Sequence, residues 1–156
     1  MKPAALLLPF LLLVACGGGA SPESADKKAY ISAAEAICAK ANAETSALKT
    51  PQAASELAPY VAKVVALADA ATVKIDALTP PKADLAELSK KVLDPLKEQL
   101  AEGHTYAAKV AAADKAKDEA ALTQLTLNAP TGSKADLTWM RKYGFSACVD
   151  AANVGG

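Results

Sequence analysis

A single histidine, a single tryptophan and two methionines in 156 residues leave little from which to build an active centre. His104 stands alone, so the chain cannot supply the two Glu-x-x-His sets of a di-iron bundle or the paired histidines of a His-Glu-x-x-His zinc site. Positive charge is not in excess: 17 Lys and Arg face 17 Asp and Glu, with the signs interspersed. No basic stripe is present to neutralise nucleic-acid phosphates, and no Lys/Arg-rich amphipathic helix is present for anionic lipid headgroups. Aromatic residues amount to 4%, and strand-favouring side chains are too sparse for a sheet to be expected. No apolar run approaches the ~20 residues that a membrane-spanning helix needs. The Gly17-Gly18-Gly19 run follows no strand and so lacks the setting of a phosphate-cradling loop.

What is present begins at the N-terminus. Met1 and Lys2 lead into residues 3–14, which are apolar throughout and close on Leu13-Val14-Ala15-Cys16. A charged start, an apolar stretch of about 7–15 residues and small residues at the cut form the layout of a secretory signal peptide. Leu-Val-Ala-Cys matches the lipobox of lipoprotein signals, in which the residue after the cut is the cysteine that receives lipid. The expected division is residues 1–15 as a removed signal, 16–25 as lipidated Cys16 with a flexible tether, 26–148 as the folded domain and 149–156 as a loose tail.

With Cys16 committed to lipid, Cys38 and Cys148 remain. In an oxidising compartment they read as one disulfide, closing a loop of about 110 residues. A metal pair or a redox-active thiol is the competing reading. It is disfavoured by the absence of Cys-x-x-Cys and by the sequence distance of His104 from either cysteine.

Alanine supplies 38 of the 156 residues. Its helix propensity is the highest of any residue, so an all-α domain with a thin interior is expected. The first helix is placed after Ser21 as N-cap, with Pro22 at its first position and Tyr30, Ala33, Ile37, Ala41 and Leu48 facing inward, interrupted by Glu44. Thr50-Pro51 should restart the chain in the same way. Leu57, Val61, Val64, Ala68, Ala71, Ile75 and Leu78 then follow in steps of four and three, a 3.5-residue seam ended by Thr79-Pro80-Pro81.

A third helix is expected over 82–113, with Leu85, Leu88, Val92, Leu96, Leu100, Gly103, Ala107 and Val110 along one side. Pro95 should bend it near Lys91, and Glu87 and Lys91 form an i,i+4 pair. Asp118 caps a helix containing Leu122 and Leu125. Pro130-Thr131-Gly132 breaks it, and Ser133 recaps the chain with Asp136 three residues on, ahead of Leu137, Met140 and Tyr143. Gly144 followed by Phe145 reads as a left-handed C-cap. Short turns make neighbours antiparallel, so the expected architecture is an up-down-up-down four-helix bundle with a broken fourth helix.

The search for chemistry yields no catalytic residue, and no cofactor or metal is expected. Glu102 lies on a different helical face from His104 and Glu98 is six residues away, so His104 reads as a surface residue. Ser24-x-x-Lys27 and Ser46-x-x-Lys49 match Ser-x-x-Lys, but the Ser-Asp-Asn and Lys-Thr-Gly elements that accompany it in penicillin-recognising enzymes are absent. Asp114, Asp118 and Glu119 read as capping and solvation. Trp139, Tyr143 and Phe145 are either a binding patch or, the favoured reading, packing around the disulfide and a helix end.

The order of lipobox, Gly/Ser tether at 17–21, Ala-Ile-Cys at 36–38, Leu-Thr-Pro-Pro at 78–81 and Tyr-Gly-Phe-x-x-Cys at 143–148 resembles small Ala-rich lipoproteins of high-GC, mostly actinobacterial, bacteria. The resemblance implies lipidation at Cys16 and exposure on the outer side of a membrane, the outer membrane in a Gram-negative host because Gly17 is not Asp. It implies no activity. The expected role is a membrane-tethered, non-enzymatic helical module that binds or scaffolds a component of the cell envelope. The alternative is a carrier of a hydrophobic small molecule, which a pocket near Trp139 would favour.

Overall fold

The computed structural model describes residues 22–152, and every regular element among them is helical. Cys16, Ser21, the signal and residues 17–21 of the tether lie outside the described residues, as do 153–156, whereas residues 22–25, expected in the tether, form the first turn of the first helix.

Helix α1 (Pro22–Ser46) begins at Pro22, whose fixed φ and missing donor suit a first turn. Its buried ridge is Tyr30, Ala34 and Cys38, with Ile31, Ala33, Ile37 and Ala41 half-buried beside it. The restart at Thr50-Pro51 differs from expectation. Here the Gln52 amide N–H donates to Glu56 Oε2 at 2.7 Å and the Gln52 side chain donates to the Thr50 carbonyl. These local bonds compete with the helix ladder, so a 3₁₀ turn (Ala54–Glu56) comes first and α2 starts only at Leu57. Pro59 then falls in the first turn of α2 (Leu57–Asp76), where its missing N–H has no partner to lose.

Of the seam expected along α2, Leu57 and Val61 are buried, Val64, Ala71, Ile75 and Leu78 are half-buried, and Ala68 is exposed. The reason is that α2 has helical neighbours on two sides. Leu57 and Val61 pack on Val110 and Ala113 of α4, whereas Leu67, Ala70 and Ala71 line a groove shared with Ala36, Ile37 and Ala41 of α1. A helix serving two partners divides its apolar residues between them.

The third helical stretch starts at Leu85, not Lys82, because residues 82–84 form a turn in which the Asp84 N–H donates to the Pro81 carbonyl. It runs without interruption through α3 (Leu85–Leu88), a π-helical turn (Ser89–Leu93) and α4 (Asp94–Ala116). Pro95 explains the π turn: it has no N–H to offer the Lys91 carbonyl four residues earlier. The released Lys91 carbonyl instead accepts the N–H of Asp136 at 2.9 Å. One proline therefore both accounts for the π turn and opens the acceptor on which a distant segment docks. Glu87 and Lys91 pair at 3.0 Å, as their spacing predicts.

Lys117 adopts a left-handed conformation with φ 55° and turns the chain, and Asp118 caps α5 (Glu119–Leu127) by accepting from the Ala121 N–H. Residues 128–136 then run without helix along α4. The Gln99 side chain donates to the Gly132 carbonyl and accepts from the Lys134 N–H, while Lys134 Nζ reaches Glu98 at 2.8 Å and Glu102 at 2.7 Å. Helix α6 (Leu137–Tyr143) is capped by Asp136, which accepts from the Trp139 N–H, and not by Ser133. Ser133 Oγ is taken by the Ala135 N–H, and Asp136 is fixed by the Lys91 carbonyl. Gly144, at φ 116°, closes α6 as expected, with the Phe145 N–H returning to the Met140 carbonyl at 2.9 Å.

The expected loose tail from Val149 is overturned in its first part. Helix α7 (Ala147–Ala152) packs on α1, and Val149 is fully buried. Its first turn is held by a side chain from α1, described below. The core has two clusters. One joins Tyr30, Ala34 and Cys38 to Leu88, Val92, Met140, Phe145, Cys148 and Val149. The other joins Leu57, Val61, Val110, Ala113 and Leu122.

Candidate functional site

Cys38 and Cys148 are bonded, with Cα atoms 4.8 Å apart, inside the distance range a disulfide requires. Beside them, Glu35 is one turn earlier on α1 and aims at the start of α7. Its Oε2 accepts from Ser146 Oγ at 2.7 Å and from the Ala147 N–H at 2.8 Å, and its Oε1 accepts from the Cys148 N–H at 3.1 Å. One carboxylate thus satisfies the donors that a helix start leaves open. Partial burial raises the Glu35 pKa, but these donors outweigh it and hold the carboxyl below its usual range.

That depression has a definite sign. A carboxyl whose folded pKa lies below its unfolded value stabilises the fold above the unfolded pKa, ~4.3 for Glu, and loses that contribution as pH falls through the folded value. Glu35→Gln is expected to lower stability by about 1 kcal/mol at neutral pH, the ordinary cost of a lost cap. The difference from wild type should shrink as pH falls below ~4.3, the Glu reference value, and disappear once pH is below the lowered folded value, as followed by urea denaturation at each pH. A gap independent of pH would contradict the carboxylate cap.

The aromatic trio is packed together. Trp139 stacks on Tyr143 with centroids 4.6 Å apart, Tyr143 lies 5.0 Å from Phe145, and Tyr30 meets Phe145 edge-on at 6.1 Å. Phe145 and Tyr30 share the core cluster of the two cysteines, in line with the packing reading. Around Tyr143 a polar knot joins three elements. Tyr143 OH donates to Asp84 Oδ2 at 2.7 Å, Lys27 Nζ lies 3.1 Å from the same oxygen, and Lys27 Nζ also sits 3.9 Å from the Tyr143 ring centroid. The Tyr143 hydrogen bond, followed by Lys27, holds the Asp84 carboxyl below its ordinary range. Burial, with the Asp84 bond, pushes the Tyr143 phenol well up. The knot locks the start of α1, the 77–84 connection and the end of α6 together with Asp84 ionised and Tyr143 protonated.

His104 is exposed and meets Asp69 of α2 at 2.9 Å, bridging α2 and α4. Glu98 and Glu102 turn instead to Lys134. Asp118 is engaged as a cap, and Lys27 of the Ser24-x-x-Lys27 match is held by Asp84. Among the described residues no three His, Cys, Asp or Glu side chains converge as metal ligands.

Two depressions among the described residues bear on the carrier reading. A groove of about 170 Å³ lies between α1 and α2. A larger open one, about 650 Å³, is lined by Asp26, Ala29, Tyr30 and Ala33 of α1 and by Leu78, Pro80, Pro81 and Lys82 of the connection to α3. Neither is lined by Trp139, beside which a pocket would have favoured the carrier alternative. Compared with protein-family models, curated proteins and solved structures, the chain matches none of them.

Proposed function

We propose that this protein is a lipoprotein of the bacterial cell envelope, anchored through Cys16, whose helical domain is a non-enzymatic binding or scaffolding module on the outer side of the membrane. The observation that carries the proposal is Leu13-Val14-Ala15-Cys16 at the close of an apolar run, with the first helix starting at Pro22, six residues later. The anchor and the domain are thus nearly contiguous. In this reading the domain is an up-down-up-down bundle whose fourth leg is the discontinuous run of α5, 128–136, α6 and α7. The polar side chains described above support a module, since Glu35, Asp84, Lys27, Lys134 and Asp136 are all engaged in tying helices and loops together.

The test is processing in the native host. Cys16→Ala should abolish palmitate incorporation and leave an uncut precursor, while the wild-type chain enters the detergent phase on phase separation. Two acyl chains give stable anchoring where one is marginal. A wild-type chain whose mature N-terminus maps elsewhere, or which stays wholly aqueous, would refute the anchor.

A further inference from the structure

The Lys27–Asp84–Tyr143 knot gathers three chain segments at the end of the domain where α1 begins. Segments 26–28, 82–84 and 141–143 carry Lys27, Lys28, Lys82, Arg141 and Lys142 against Asp26 and Asp84. Lys27 and Asp84 neutralise each other inside the knot. Lys28, Lys82, Arg141 and Lys142 are all exposed, and none lies within 4.0 Å of a carboxylate among the described residues. Each is within two residues of a knot member, so the four cations belong to the segments that meet at this end. Within these three segments only Asp26 remains to oppose them. The whole chain sums to zero, so the excess of five cations over two carboxylates in these segments is offset by net negative charge on the rest of the chain, and this end is its basic pole. Beside it opens the apolar groove of Tyr30, Leu78, Pro80 and Pro81.

We propose that this end docks on a bilayer surface containing anionic lipid. The proposal rests on anchoring at Cys16: five residues separate Cys16 from Pro22, about 20 Å of extended chain. The anchor therefore presents this end, and not the opposite one, to the headgroups, where positive charge meets a negative surface potential. Docking would fix the domain's orientation relative to the membrane and turn the α4–α5 end outward.

The test uses the chain from Cys16 onward with Cys16→Ser, which keeps every residue of both core clusters and the disulfide but carries no lipid. Its outcome is therefore independent of whether Cys16 is acylated in the host. Sedimentation is measured with vesicles of phosphatidylcholine alone and of phosphatidylcholine mixed with phosphatidylglycerol. Binding is expected to the mixed vesicles only, and to weaken with added salt. Each cation removed should weaken it about fivefold, equivalent to ~1 kcal/mol per charge, so Lys28→Gln, Lys82→Gln, Arg141→Gln and Lys142→Gln combined should abolish it. The matched set Lys49→Gln, Lys109→Gln, Lys115→Gln and Lys117→Gln, at the far end, should leave it intact. If the fourfold tether-end variant does not melt like its parent, Lys82→Gln and Arg141→Gln singly take its place. No binding to either vesicle, equal binding to both, or equal loss in the two variant sets would overturn the proposal.

Discussion

Reduction of the Cys38–Cys148 bridge is expected to lower the stability of the domain by about 4 kcal/mol, within the ~2–5 kcal/mol typical of native bridges in small secreted domains. The bridge spans 110 residues, and chain-entropy arguments assign ~4.7 kcal/mol to a loop near that length. It also secures α7, whose six residues are too few to form a stable helix alone. Without the bond, Glu35 and the burial of Val149 must hold that segment. Melting curves with and without reductant measure the effect, and Cys38→Ala with Cys148→Ala should reproduce it. Most helical signal should survive below the new transition, because the cluster of Leu57, Val61, Val110, Ala113 and Leu122 contains no residue of α1 or α7. Two titratable thiols in the native folded chain would refute the bridge.

Leu88→Ala should be comparably damaging, at about 2–5 kcal/mol. Leu88 is fully buried where α3 meets α1 and α6, just before the π turn that fixes the local backbone, so the cavity has little freedom to collapse. Leu127→Ala serves as the contrast. It removes the same atoms from a side chain that is 73% exposed and should change stability by no more than ~0.5 kcal/mol. Urea midpoints for the two variants measure the difference. Equal losses would mean that the Leu88 cluster is not a packed core.

The parts of this fold that were legible in the sequence are those fixed by neighbours along the chain. Asp118 at a helix start, Gly144 at a helix end, the Glu87–Lys91 pair and the break in regular α-helix ahead of Pro95 each depend on residues within about one turn. The disulfide was legible by a different route, since assigning one cysteine to lipid leaves one possible pair. What was not legible depends on pairing across the chain. Tyr143 finds Asp84 across 59 residues, and Glu35 finds Ser146 across 111. Neither has a local signature, so α7 looked like a tail and Lys27 like part of a chance motif. The same holds for the basic end: Lys28, Lys82 and Arg141 look scattered until the knot brings their segments together. The α2 seam failed in part for a related reason, because periodicity reports that a helix has an apolar side but not how many neighbours share it.

The position of the bridge also determines how the molecule carries load. Cys38 lies in the first helix and Cys148 at the start of the last. Tension applied beyond Cys148 therefore crosses the sulfur–sulfur bond into α1 and runs out through residues 22–38. The 110-residue span between the cysteines forms a closed loop outside that path, so α2 to α6 bear none of the pull along their covalent chain. Were the domain anchored through Cys16 as proposed, a pull on the C-terminal segment would not draw the helices out one after another. Only the portion of α1 ahead of Cys38 and the short α7 would feel the strain, and the remainder would travel as an unloaded ring.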